Sequence, residues 1–306
     1  MKNHLFAVAA LAALTFASCD KDNEQPSPTP VDTDGTCVRI TLCEAEGGDT
    51  RTFFDTTAAA EAWEKTLTSL CVLAFDDAGS LLVRRDFTSS ELTAKSATFA
   101  LPKSAAGTTC TFYAVANLDV TDVKSAAGVQ SLVERSAAAY NGTFAEVSTK
   151  AKRPGGFVMS GFKTQTVGAV NSTTAVGITL KRTVAKVALQ TTIDPSFAEK
   201  YGGTLTIHSV KLSKAASQTL VMAGTPAPGA MTFTHTQTPA AASGKHNSLF
   251  YVYENGPLAA GSRVLLEIGA TYDMDGNAAT ADDRSDVTYS VELSGKAAGD
   301  ILRNGY

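Results

Sequence analysis

The stretch Gly177–Gln190, GITLKRTVAKVALQ, carries its apolar residues in two phases. Ile178 and Leu180 hold one phase, Val187 and Leu189 the other, and the slip falls around Val184. Successive residues of a strand point to opposite faces, so a one-residue slip turns the apolar face over. This pattern predicts one strand crossing between two cores, or two strands meeting at a bend. Either way it marks a join between two β domains.

On both sides of the join, period-two runs predict short strands. In Thr36–Cys43, Val38, Ile40 and Leu42 share one face, with Arg39 and Thr41 on the other. Ser69–Asp76 and Leu81–Asp86 flank a DDAG turn and predict a hairpin. Ala97–Leu101 and Thr109–Asn117 predict a second pair around Pro102–Gly107. Phe157–Gly161, Val176–Leu180, Thr204–Leu212 and Leu249–Glu254 follow, and Arg263–Tyr272 pairs with Asp286–Leu293. In Phe250–Tyr253, alternation puts Phe250 and Val252 inside, with Tyr251 and Tyr253 outside. Thr56–Lys65 predicts a short Thr-capped helix whose Trp63 enters the first core. Thr121–Arg135 predicts a helix with Val123, Val129, Leu132 and Val133 as its buried stripe. Ser136–Gly156 reads as loop. Many short strands between Gly, Pro and Asn turns predict an all-β chain with minor helices, built from sandwiches.

A length of 306 residues suits about two domains, and 44% hydrophobic residues suffice for real cores. Charged residues reach 18% and the net charge is −4, with no basic cluster dense enough for a nucleic-acid face. At the N-terminus, Lys2 precedes the apolar run Leu5–Phe16, which is too short to span a bilayer. The run ends in Phe16-Ala17-Ser18-Cys19, small residues before a cysteine, which reads as a lipoprotein cleavage site with Cys19 lipidated. The alternative is an ordinary secretory signal with an incidental cysteine. Residues 1–18 are then a signal peptide, and 19–35, with Pro26, Pro28 and Pro30, a tether without a core. Cys37, Cys43, Cys71 and Cys110 form no CxxC or Cys/His array; they read as single thiols, with export leaving disulfides open.

LKRTVAKVAL at Leu180–Leu189 resembles the L-x-R-x-x-A-K-V segment of the Bacteroidetes fimbrillin family, the FimA/Mfa-type fimbrial subunits. FYVYEN at Phe250–Asn255 resembles that family's second-domain signature. VMSG at Val158–Gly161, the hairpin SLCVLAFDDAGSLL at Ser69–Leu82, and RNGY at Arg303–Tyr306 fall in the expected order. The acidic residues after Cys19 resemble the surface-export signal of Bacteroidetes lipoproteins.

The resemblance implies two transthyretin-like β-sandwich domains in tandem, 36–180 and 181–306. It implies a structural, non-enzymatic subunit of a cell-surface fimbrium that mediates adhesion. Such a subunit is exported as a lipoprotein to the outer membrane and cut after an arginine by an Arg-specific protease. The cut removes the first strand, 36–43, with Val38, Ile40 and Leu42, and other subunits supply a donor strand. Arg51, beyond that strand in a Gly-rich segment, is the matching site; Arg39, inside the strand, is a poor one. The sequence stops at Tyr306, where the family's terminal strands begin. That reads as an incomplete copy, or as a subunit that accepts a strand without giving one. The alternative function is a surface lipoprotein that binds glycan or host protein and never polymerises. Stalk, tip and anchor roles, and the adhesion ligand, stay open.

Other chemistry is sparse. Asp273, Asp275 and Asn277, with Asp282 and Asp283 downstream, offer alternate oxygen ligands of the kind Ca²⁺ takes. An EF-type loop would have Gly at Ala278 and Glu at Arg284, so a solvated hairpin tip is the preferred reading and no cofactor is expected. His208, His235 and His246 are scattered, and no G-x-S-x-G elbow or phosphate-cradling loop is present.

Overall fold

A computed structural model describes residues 35–44, 62–141, 156–222, 231–242, 244–294 and 300–305. In chain order the first strands are Thr36–Glu44 (β1), Leu70–Phe75 (β2), Leu81–Asp86 (β3), Ser96–Leu101 (β4) and Thr109–Ala116 (β5). Val133–Glu134 (β6), Met159–Thr166 (β7), Thr173–Arg182 (β8) and Val184–Thr192 (β9) follow. The remainder are Thr204–Ala215 (β10), Thr219–Leu220 (β11), Phe233–Gln237 (β12), Ala240–Ala242 (β13), Lys245–Tyr253 (β14), Leu265–Asp273 (β15) and Arg284–Glu292 (β16).

The first sheet has the order β3-β2-β5-β7-β8-β1-β4. β7 meets β8 only through Met159 opposite Arg182 and Ser160 opposite Lys181, at the far end of β8 from most of its pairing with β1. The sheet folds over at that crossing. Val38, Ile40 and Leu42 of β1 therefore share one core with Leu70, Val72 and Ala74 of β2 and Phe112 and Ala114 of β5. Gly161 sits at the fold-over, where a Cβ would land on the Thr179 carbonyl oxygen, so the glycine of VMSG lets β7 and β8 approach.

β2 is buried along its whole length. Its second face, Cys71, Leu73 and Phe75, packs with Tyr113, Val115, Val129, Val221 and Met222 in a further cluster. A strand covered on both faces reads as a continuous apolar run, as LCVLAF does.

The second set of sheets is β12-β10-β15-β16 and β13-β14-β9. Sheet membership changes between β8 and β9 across Thr183, so the phase slip at Val184 marks two strands meeting at a bend. Val210, Leu212, Phe250, Val252 and Leu266 form the core between these sheets.

Four local readings are corrected. β4 and β5 do not pair; β4 lies against β1, and β5 lies between β2 and β7. Thr121–Arg135 is not one helix. Only Ala126–Gln130 is helical, capped by Ser125 accepting from the Gly128 N–H, and Val133–Glu134 leaves to pair with β11. Trp63 packs in the second core, against Phe157 and Tyr251. Tyr251 and Tyr253 are buried, each about as completely as Phe250 and Val252, because both faces of β14 are covered.

Candidate functional site

β1 is the middle strand of the layer β8-β1-β4. It runs parallel to β8, with Cys37–Glu44 opposite Thr173–Leu180, and antiparallel to β4, with Thr36–Thr41 opposite Leu101–Ser96. β1 is the only strand that pairs with β4 among the described residues. Alternation sends Val38, Ile40 and Leu42 into the core, the first two with no exposed surface, and leaves Arg39, Thr41 and Cys43 on the outer face. Burying each apolar side chain contributes roughly 1.5–3 kcal/mol.

The ends of the strand are seated too. The Thr36 hydroxyl donates to the Ser172 carbonyl at 3.2 Å and the Cys37 N–H to the same oxygen at 2.8 Å. The Leu42 N–H donates to Lys95 O, and the Ser96 hydroxyl to Ile40 O at 2.9 Å. At Gly35 a Cβ would land on the Leu101 carbonyl, so the chain enters the seat past β4 with no room for a side chain. Arg51 and Cys19 lie outside the described residues, as does the whole of 45–61 that links β1 to the body.

Past that link the chain is held at the β8–β9 bend. Glu64, in the 3-10 turn Ala62–Lys65, has no exposed surface. Its carboxylate faces Arg182 Nη1 at 3.3 Å and Lys186 Nζ at 3.2 Å, and accepts from the Tyr251 hydroxyl at 2.6 Å. The other end of the chain returns to the same bend. Asn304 N–H donates to Val184 O, and Lys186 N–H to Gly305 O. Arg303 donates to the carbonyls of Leu220 and Val221, both at 2.7 Å, and pairs with Glu254. The R and N of RNGY thus fasten β9, β11 and the residue that follows β14. The sequence reading missed Glu64, because an acid in an Ala-rich helix pattern looks solvated.

At the β15–β16 tip, one carboxylate oxygen from each of Asp273, Asp275 and Asp283 lies within 4.8 Å of the others. Asp283 joins Asp273 and Asp275 there, and the side-chain oxygen of Asn277 accepts from the Ala279 N–H at 3.1 Å. His208 is exposed on β10. A cleft of about 410 Å³ lies beside β2 and β3, lined by Thr68, Arg84, Asp86, Asn117 and Asp119. Arg84 grips Asp86 there with two hydrogen bonds of 3.1 Å, which hold the Asp86 carboxyl below its ordinary range. Buried Cys71 lines the same cleft, and burial, aided by Asp86, pushes its thiol up to about 12.

The sequence profile of a family described as Major fimbrial subunit protein (FimA) matches residues 37–247. No curated protein matches the sequence. Several solved structures share the fold. A protein assigned to cell adhesion from Parabacteroides distasonis superposes with a TM-score of 0.59 at 15% identity, over 88% of this chain and 85% of that one. Another assigned to cell adhesion, from Bacteroides eggerthii, gives 0.56 at 16% identity, over 87% and 81%. The tip fimbrial protein Mfa3 from Porphyromonas gingivalis, with a C-terminal truncation, gives 0.54 at 13% identity, over 88% and 90%.

Proposed function

The chain belongs to the major fimbrial subunit protein (FimA) family, and from that premise we propose that it is a structural, non-enzymatic subunit of a cell-surface fimbrium that assembles by exchange of its first strand. In this reading residues 1–18 direct export, Cys19 carries lipid to the outer membrane, and 19–35 form a tether. The tandem transthyretin-like units are 36–180 and 181–306. An Arg-specific protease cuts after Arg51, which separates the lipid and β1 from the rest of the chain.

The observation that carries this proposal is the position of β1. Among the described residues it is the only strand paired with β4, it fills the first core with Val38, Ile40 and Leu42, and it precedes the Ala62–Lys65 turn that Glu64 locks in place. A cut between them would spare the turn and release the strand. Losing β1 uncovers the edges of β4 and β8 along with an apolar slot, and unpaired edges recruit strands. A strand from a neighbour restores the backbone hydrogen bonds and fills the slot with alternate side chains. Repeated head to tail, such a contact builds an open filament, with adhesion as its output.

Limited digestion of the folded mature protein with an Arg-specific protease tests the proposal, followed by intact mass and an unheated denaturing gel. The expected result is a single cut after Arg51 and a ladder of resistant multimers. A cut without a ladder would point to a strand-accepting end position or to a donor strand missing from the protein tested. An intact Arg51 under conditions that cleave unfolded chain would sink the maturation step.

A further inference from the structure

We propose that Asp273, Asp275 and Asp283, at the tip of the β15–β16 hairpin, form a Ca²⁺ site. The hairpin register places Asp273 opposite Arg284 and leaves 274–283 as its tip. Each carboxylate is already aimed through one oxygen. Arg284 Nε donates to Asp273 Oδ2 at 3.0 Å, and the Asp275 N–H donates to Asp283 Oδ2 at 2.8 Å. The Asn277 N–H holds Asp275 Oδ1 at 2.7 Å. The second oxygens of Asp273 and Asp283 are buried and accept no hydrogen bond. Asp273 is itself only 8% exposed.

A buried carboxylate oxygen without a donor is costly, and two of them within one acidic cluster point to a cation as their partner. Three carboxylates against the Arg284 guanidinium leave a surplus of two negative charges, the charge of one divalent ion. An all-oxygen set with no His or Cys selects a hard ion. Two oxygens on one Ca²⁺ can lie up to about 4.6–5.2 Å apart, twice the metal–oxygen distance, against about 4.2 Å on Mg²⁺. Ca²⁺ therefore accepts the full 4.8 Å envelope of the cluster, and Mg²⁺ only its tighter part. With few protein ligands and an exposed Asp275, the expected affinity is that of extracellular modules, about 10⁻⁴–10⁻³ M. Bound Ca²⁺ would tie the tip to the end of β15 and stiffen an edge of the second sandwich.

The test is a calorimetric titration of the full chain, stripped with EDTA, with CaCl₂ alone up to about 10 mM, and MgCl₂ as comparator. Thermal melts run alongside. The expected result is saturable Ca²⁺ binding with a rise in melting temperature, weakened at least tenfold in Asp283→Asn and in Asp275→Asn. Both substitutions sit in the tip, and without Ca²⁺ each variant should melt at or above the unsubstituted protein, because one repelling charge is gone. Absence of saturable binding, or an Asp283→Asn variant that titrates like the unsubstituted protein, would overturn the site. Equal affinity for Mg²⁺ would overturn the assignment of the ion.

Discussion

Glu64 has no exposed surface and faces two cations, Arg182 and Lys186, of which Arg182 is nearly as buried. Removing one partner of a buried pair leaves the other charge uncompensated, at a cost of roughly 3–5 kcal/mol. Glu64→Gln is therefore expected to lower the urea-unfolding free energy by an amount of that order, although only one atom changes. A loss below 1 kcal/mol, the range of solvated pairs, would show that the network is hydrated. The buried thiol of Cys71 adds a pH dependence. Its ordinary value is 9.0, and burial raises it to about 12. Above pH 9 the unfolded chain releases this proton while the folded chain keeps it, so the stabilisation is complete below 9 and is lost as pH rises toward 12. Tyr253 shifts upward as well, through burial and then the Glu134 charge, and loses stability on the same alkaline side. Melting temperature followed from pH 8 to 11 should fall at the alkaline end, and Cys71→Ala should flatten part of the fall. None of this residue-scale chemistry was legible in the sequence. Burial of Glu64 and Cys71 depends on partners far along the chain, and the Asp cluster was legible only in part. Spacing proposed Asp273, Asp275 and Asn277, and the turn of the tip brings Asp283 to the first two.

At the scale of elements, strands with one covered face were legible because their alternation survives in the sequence. β1 and β8 read correctly for that reason, as did the β2–β3 hairpin, helped by its DDAG turn. Where both faces are covered, alternation carries no information, and Tyr251 and Tyr253 were placed outside although β14 is buried on both sides. Very short strands such as β6 and β11 have no periodicity to detect and exist only as each other's partner. The exposure pattern of β1 yields a paired prediction. Ile40 has no exposed surface, and Ile→Ala in a core costs about 2–5 kcal/mol. Thr41, next to it and exposed, should tolerate Ala within about 0.5 kcal/mol. Equal losses at the two positions, measured by urea unfolding, would mean that β1 is not seated by its inner face.

At the scale of the whole molecule, the bend at Val184 was legible and the pairing was not. A period-two slip is local, but the choice of β4 and β8 as neighbours of β1 is made across more than fifty residues for the first and more than a hundred for the second. The proposed strand exchange rests on that choice. β1 contributes an entire inner row to the first core, yet the chain that follows it is fastened independently at the β8–β9 bend by Glu64 and Trp63. A chain beginning at Thr52 should therefore keep its second core, lose stability in its first sandwich, and self-associate through the uncovered edges of β4 and β8. A synthetic peptide of Thr36–Glu44 should bind it, suppress the association seen by light scattering, and restore the lost part of the melting transition. The same peptide with Ile40→Asp should do none of these, since it carries identical backbone hydrogen bonds but places a charge at a position with no exposed surface. A stable, soluble monomer without residues 1–51 would contradict strand exchange. Rescue by both peptides alike would show that edge pairing alone, without the apolar slot, governs assembly.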